Sequence, residues 1–295
     1  VGGAGRVGGS GEADREARTA ADEVTAAAPA ALAALERLRP RLAAAGIGLG
    51  LAHVGEPGLA PAGPAEASAA ATMPPRRRRE FLAGREAARR ALRAVGVDCG
   101  EIPREGRLPV FAPGRAASLS HSAGIAVAVA RAPGGHAPLG CDLELRPLPC
   151  DAARLVLGPD EEPLLGTAAG AGTWSLTGLF SAKETAWKAL HLAQGRAGTA
   201  SMRTLRDLRA EPCGDALHIG PRIDPRVGRS SRPGLRASSR PRSGPSGLPC
   251  TGARAGQSYG VRVRVLPVGA GVFSYALGWA GADGRSTPVP TARRS

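Results

Sequence analysis

The period of the apolar positions changes several times along the chain, and each change marks an element. Over residues 23–46, EVTAAAPAALAALERLRPRLAAAG, Leu and Ala recur at helical spacing until Pro40 and Gly46 interrupt them. IGLGLAHV follows as a short strand pattern, and residues 55–75, rich in Pro, Gly and Ala with little periodicity, read as loop. Residues 76–96, RRRREFLAGREAARRALRAVG, place Phe81, Leu82, Ala88, Leu92 and Val95 along one helical stripe. Arg85, Arg89 and Arg93 stand four apart on a neighbouring face, and Gly96 supplies a stop.

From residue 106 the period falls to two. GRLPVFAPGR is followed by ASLSHSAGIAVAVAR, a turn at APGG, and HAPLGCDLELRP; the last two runs are expected to pair as a hairpin. Helical character returns over 151–166 and 173–192, and YGVRVRVLPVGAGVFSYALGWAG (259–281) reads as two strands. No short-period repeat is visible. Helix, strands, helix, strands predicts an α+β fold of two halves of similar plan. The expected divisions are a flexible leader at 1–20, a first half at 21–139, a second half at 140–282 and a flexible tail at 283–295. A disordered Arg/Gly/Pro/Ser-rich insert at 221–258 is expected to interrupt the second half.

Composition narrows the picture. The chain has 295 residues, 43% of them hydrophobic but only 3% aromatic, so its core is built mainly from Ala, Val and Leu. The net charge is +14, and residues 221–258 supply +7 of it through eight arginines and one acid, Asp224. A basic loop of this kind attracts polyanions in general and lacks the interleaved aromatics that stack bases, so no specific nucleic-acid partner is expected. Five cysteines with no C-x-x-C pair argue against a disulfide framework or zinc site. No apolar run approaches the roughly 18 residues of a membrane span, and no signal-peptide pattern opens the chain, which predicts a cytoplasmic protein with no membrane partner.

The candidate chemistry lies in four places. FSAKETAWKAL (180–190) holds the chain's only two lysines, Lys183 and Lys188, among arginines everywhere else. Glu184 shares a helix face with Lys188 at i+4, and Ser181 to Glu184 also matches an S-x-x-E capping box, so ligand and cap both stand as readings. In GCDLEL, Asp142 and Glu144 project from one strand face about 7 Å apart, which suits Mg²⁺ as well as a solvated strand face. Ser120 and His121 open an apolar strand, either structurally or as ligand contacts. The 76–79 arginine run, Arg85 and Arg107 are cations suited to phosphates. Carboxylates for a metal beside cations for phosphates is the chemistry of phosphoryl transfer.

FLAGREAARRAL, GRLP…SLSHSAGIAVAVA, LGCDLEL and LFSAKETAWKAL, in that order over about residues 76–192, resemble the 4'-phosphopantetheinyl transferases of the surfactin-synthetase and enterobactin-synthetase type. Cys141, Ala117 and the long arginine-rich insert depart from that family's pattern. The resemblance implies two similar α+β halves in a pseudo-twofold arrangement, with coenzyme A and Mg²⁺ in the cleft between them. It implies Asp142, Glu144 and Glu184 as metal ligands, and Arg79, Arg85, Arg107, Ser120, His121 and Lys188 as coenzyme A contacts. Glu184, Lys188 and Lys183 would act at the reacting diphosphate, with Glu162 or its neighbour Glu161 as general base, although PDEEP is also an ordinary helix-start turn. The implied reaction moves the 4'-phosphopantetheine arm of coenzyme A to a serine of an apo acyl or peptidyl carrier protein, in siderophore, polyketide or nonribosomal-peptide synthesis. A monomer is expected. The alternatives are an inactive coenzyme A-binding homologue and a polyanion binder acting through the insert.

Overall fold

The computed structural model describes residues 28–134, 137–166, 174–198, 202–222 and 260–280. The expected leader and tail, and all but the first two residues of the expected insert, lie outside the described residues.

The Ala/Leu run forms helix α1 over 28–37 and helix α2 over Arg39–Ala44. Pro40 interrupts the helical run as expected: the run breaks at Leu38, and Pro40 lies in the first turn of α2, where no backbone donor is needed. Gly46, at φ 68°, is the terminator. Strand β1 (Ile47–His53) follows. The stretch read as loop contains helix α3 (Pro64–Ala71); its run of alanines gives no hydrophobic contrast for a period to show. Pro64 begins it, and the buried Glu66 anchors it by accepting from Arg89 Nη1 at 2.8 Å and from the Ile102 amide at 2.8 Å.

Helix α4 (Pro75–Arg93) lies across a three-stranded antiparallel sheet in the order β1-β5-β4, with β4 at Ala117–Ser122 and β5 at Ile125–Arg131. A small two-stranded hairpin of β2 (Arg104–Glu105) and β3 (Leu108–Pro109) precedes β4. Both faces of the three-stranded sheet are buried. Gly48, Gly50, Ala52, Ala126, Ala128 and Ala130 meet α4, while Ile47, Leu49, Leu51, Ile125, Val127 and Val129 meet α1 and α2.

The hairpin expected between the IAVAVA run and CDLEL does not form. ASLSHSAGIAVAVAR is itself the hairpin β4–β5, turning through Ala123 and Gly124 at φ 50° and 79°, the two positive values a two-residue turn requires. With β1 on one edge of β5 and β4 on the other, no edge is left for the next strand. That strand, β6 (Cys141–Glu144), pairs instead with β10 (Gly271–Ala280) in a five-stranded sheet of order β6-β10-β9-β8-β7. Here β9 is Gly260–Val268, as the closing pattern predicts, while β7 (Leu208–Cys213) and β8 (Ala216–Pro221) form a hairpin in residues that the sequence pattern left unassigned. Residues 151–166 hold only short turns, a 3-10 turn at Cys150–Ala152, helix α5 (Ala153–Val156) and a 3-10 segment at Pro159–Leu164. Helix α6 (Leu176–Gly198) then crosses the five-stranded sheet.

The two sheets meet where β4 faces β6. Ser118 Oγ accepts from the Cys141 amide and Ser122 Oγ from the Leu145 amide, each at 3.0 Å, so hydroxyls replace a backbone ladder there. Arg131 of β5 donates to the carbonyls of Ala45, Ala276 and Leu277, tying the far end of the same junction.

Candidate functional site

A cavity of about 790 Å³ opens beside this junction. Helix α4 lines it with Arg77, Phe81 and Arg85, one residue per turn on a single stripe. The β2–β3 hairpin contributes Arg104 and Arg107, β4 contributes Ser120 and His121, and α6 contributes Trp187, Lys188 and His191. Both halves of the chain therefore build its walls, with cations from α4, the β2–β3 hairpin and α6 and apolar surface from Phe81, Leu108 and Trp187.

The cations are held differently. Arg77 Nη1 donates to His121 Nε2 at 2.7 Å, and Glu80 lies 3.9 Å from the same ring nitrogen. Arg85 is buried; it donates to the carbonyls of Ile102 at 2.8 Å and Pro103 at 3.4 Å, and its guanidinium lies 4.5 Å from the centre of the Phe81 ring. Burial, aided by the nearby Arg104, Arg89 and Arg77, brings its pKa down to about 10, which leaves it charged at neutral pH. Arg107 is exposed at the hairpin turn. Trp187 and His191, four apart on α6, stack at 5.1 Å.

Arg79 does not line the cavity and is exposed. Two residues of helix turn it about 200° away from Arg77, which holds the place expected of Arg79.

The carboxylates lie behind Lys188. Asp142 is 3% exposed; its Oδ1 accepts from Ser120 Oγ at 2.8 Å and from Lys188 Nζ at 2.7 Å, while its buried Oδ2 has no hydrogen-bond partner. Lys188 also donates to the Cys141 carbonyl at 3.1 Å. Burial opposes its charge, yet the Asp142 carboxylate holds its pKa above the ordinary lysine value. Glu144 is pushed up to about 7, first by burial and then by the charge of Asp142. Glu184 on α6 is raised by burial, with Asp142 adding to the shift and Lys188 opposing it.

Asp142, Glu144 and Glu184 thus share one neighbourhood. Among the described residues, however, no three His, Cys, Asp or Glu side chains are gathered closely enough to hold a metal ion. The donor set fits a hard divalent cation in its chemistry: three carboxylates, one with a buried oxygen lacking a partner.

The capping reading of Glu184 fails. Helix α6 begins at Leu176, Ser175 Oγ accepts from the Gly178 amide at its start, and Ser181 is buried against Ser274 Oγ at 2.8 Å.

Lys183 is not at the site. It is wholly buried and donates to the Val156 carbonyl at 2.8 Å, Glu161 Oε2 at 2.7 Å and the Leu208 carbonyl at 3.0 Å, so its ammonium has no proton left for a diphosphate. Glu161 is equally committed, accepting also from Arg222 and from the amides of Gly158 and Ala210. Glu162 is exposed on the 159–164 segment and is not part of the cavity wall.

Arg77 was legible only as one of four arginines, and Trp187 was not singled out in the sequence as a site residue. The i, i+4 pairing of Trp187 with His191 was the signal available for the aromatic wall.

A model of the 4'-phosphopantetheinyl transferase N-terminal domain matches residues 65–131, which carry the Arg77, Arg85, Arg107 and His121 side of the cavity. Two proteins named enterobactin synthase component D, from Escherichia coli O157:H7 and Shigella flexneri, are each 37% identical to the chain over 117 residues. That is 39% of this chain and 55% of theirs, so the chain spans about half the length of these curated relatives. Over residues 65–131, which supply Arg77, Arg85 and Arg107 to the cavity wall, the chain is similar to the 4'-phosphopantetheinyl transferase N-terminal domain.

Proposed function

We propose that the chain is a Mg²⁺-dependent transferase that moves the 4'-phosphopantetheine arm of coenzyme A to a serine of an apo carrier protein, and that its two halves are the pseudo-twofold halves of that fold. One observation carries the reading: Lys188 both lines the cation-walled cavity and donates to Asp142, so a phosphate chain in the cavity and a metal on the carboxylates meet at one ammonium.

In this reading Arg77, Arg85, Arg107 and His121 bind the phosphates of coenzyme A, and Phe81 and Trp187 supply apolar wall. Asp142, Glu144 and Glu184 hold Mg²⁺, which when bound neutralises charge on the diphosphate. Lys188 is a fixed positive charge at the diphosphate. The serine oxygen forms a bond to the phosphorus that carries the pantetheine arm, the bond from that phosphorus to the bridging oxygen breaks, adenosine 3',5'-bisphosphate leaves with the electron pair of that bond, and the serine hydroxyl proton is released to water. Glu162 is not retained as the base, given its place outside the cavity wall. Lys183 is not retained as a catalytic group, because its protons are all spent on the protein.

The test is intact-mass analysis of apo acyl and peptidyl carrier proteins incubated with the protein, coenzyme A and Mg²⁺. A gain of one phosphopantetheine arm is expected, and Asp142→Ala should abolish it. Coenzyme A binding without any transfer across the panel would favour the inactive homologue.

A further inference from the structure

Three serines at alternate positions of β4 face β6, and they do not do the same thing. Ser118 and Ser122 accept from the backbone amides of Cys141 and Leu145, which joins the sheets. Ser120, between them, instead donates its one hydroxyl proton to the side chain of Asp142 at 2.8 Å. The same Oδ1 takes the Lys188 ammonium, and Oδ2 is left buried and unpartnered. Two donors on one oxygen fix the rotation of the carboxylate, and the oxygen they avoid is the one free to bind a cation. A buried acceptor without a partner is costly in a folded protein and calls for an explanation.

We propose that Ser120 is a positioning residue: it orients Asp142 so that Oδ2 faces the metal position, and it does not bind a phosphate of coenzyme A. This rests on the reading of Asp142 as a metal ligand. It replaces the phosphate contact that the family resemblance implies for Ser120. His121, next in sequence and therefore on the opposite side of the strand, keeps its place with Arg77 on the cavity wall.

The experiment titrates the whole protein with Mn²⁺ alone and follows the loss of the free-ion electron paramagnetic resonance signal. Groups that orient a metal ligand typically matter by 10–100-fold, so Ser120→Ala is expected to weaken Mn²⁺ by about that factor, and Ser120→Thr, which keeps the hydroxyl, to restore most of it. Calorimetry in EDTA should show Ser120→Ala preferring coenzyme A over its analogue without the 3'-phosphate as strongly as the parent does. Should Ser120→Ala not fold, Ser120→Cys, similar in size and a poor donor, takes its place. Undiminished Mn²⁺ affinity in the alanine variant, where Asp142→Asn abolishes binding, overturns the role of Ser120 and leaves the metal site standing. A parent protein that binds no Mn²⁺ overturns both. A lost preference for coenzyme A in Ser120→Ala returns Ser120 to the phosphates.

Discussion

Arg76 to Arg79 are four consecutive arginines with four different surroundings. Arg76 pairs with Glu80 along the helix, Arg77 reaches His121 in the cavity, and Arg78 closes the end of α3 by donating to the carbonyls of Ala70, Ala71 and Met73. Arg79 faces solvent. The two lysines divide in the same way. Lys183 needs three donors pointing in three directions, which a compact ammonium provides and a planar guanidinium does not. Lys183→Met should therefore cost about 3 kcal/mol, the lower end of what breaking a buried pair costs, because Arg222 remains on Glu161. Urea unfolding measures it, and coenzyme A affinity should not change. Glu144 gives a pH signature. Its pKa is 4.5 before folding and about 7 after, so the folded state keeps a proton that the unfolded chain loses between those values. Its contribution to stability therefore falls as pH rises from about 4.5 to 7 and is constant above. Without metal, Glu144→Gln should gain stability relative to the parent across that window, as read from urea midpoints at stepped pH.

At the scale of elements, α4 and β1 approach so closely that their glycines are structural. A Cβ at Gly50 would overlap the Ala87 carbonyl oxygen and the Ala91 amide, both main-chain atoms of α4 that cannot yield without the helix moving. Gly84, in α4 itself, has only Leu119 Cδ2 at 3.7 Å, ordinary contact. The two substitutions should have opposite signs: Gly50→Ala should destabilise by about 3 kcal/mol or more, and Gly84→Ala should stabilise by up to about 1 kcal/mol through helix propensity and lower unfolded-state entropy. Urea midpoints of both variants check this. The period-two pattern located β4, β5 and β6, but their pairing was misread, since alternation says which face of a strand is buried and nothing about which edge is already taken.

Across the whole molecule, one apolar cluster joins the halves. Ala28, Ala31, Leu35 and Leu42 of α1 and α2 pack on β1 and β5 of the first sheet and on Leu143, Phe273 and Tyr275 of the second. Leu35 is fully buried at that shared position. Leu35→Ala should cost about 2–5 kcal/mol. All three tryptophans, Trp174, Trp187 and Trp279, lie in the second half, so their fluorescence is a test of the coupling. If the halves unfold as one unit, this variant in the first half shifts the tryptophan transition by the same amount as the far-ultraviolet dichroism transition. A tryptophan transition left at its parent midpoint would mean that the second half stands alone.

Alternation and helical stripes in the sequence determined β1, α4, α6 and the closing strands, because their apolar faces repeat at periods that survive any context. The carboxylate and cation types around Asp142, Glu144, Glu184, Arg85 and His121 were legible for a similar reason: charge placed in apolar runs is visible without coordinates. Tertiary structure alone decided which cations share a wall. Arg77 and Arg79 are chemically identical, and only the rotation of α4 against the sheet separates them. It also decided the fate of the lysines, for the five-residue offset from Lys183 to Lys188 turns one ammonium into the core of the second half and the other to the junction of the sheets, a difference set by the packing of α6.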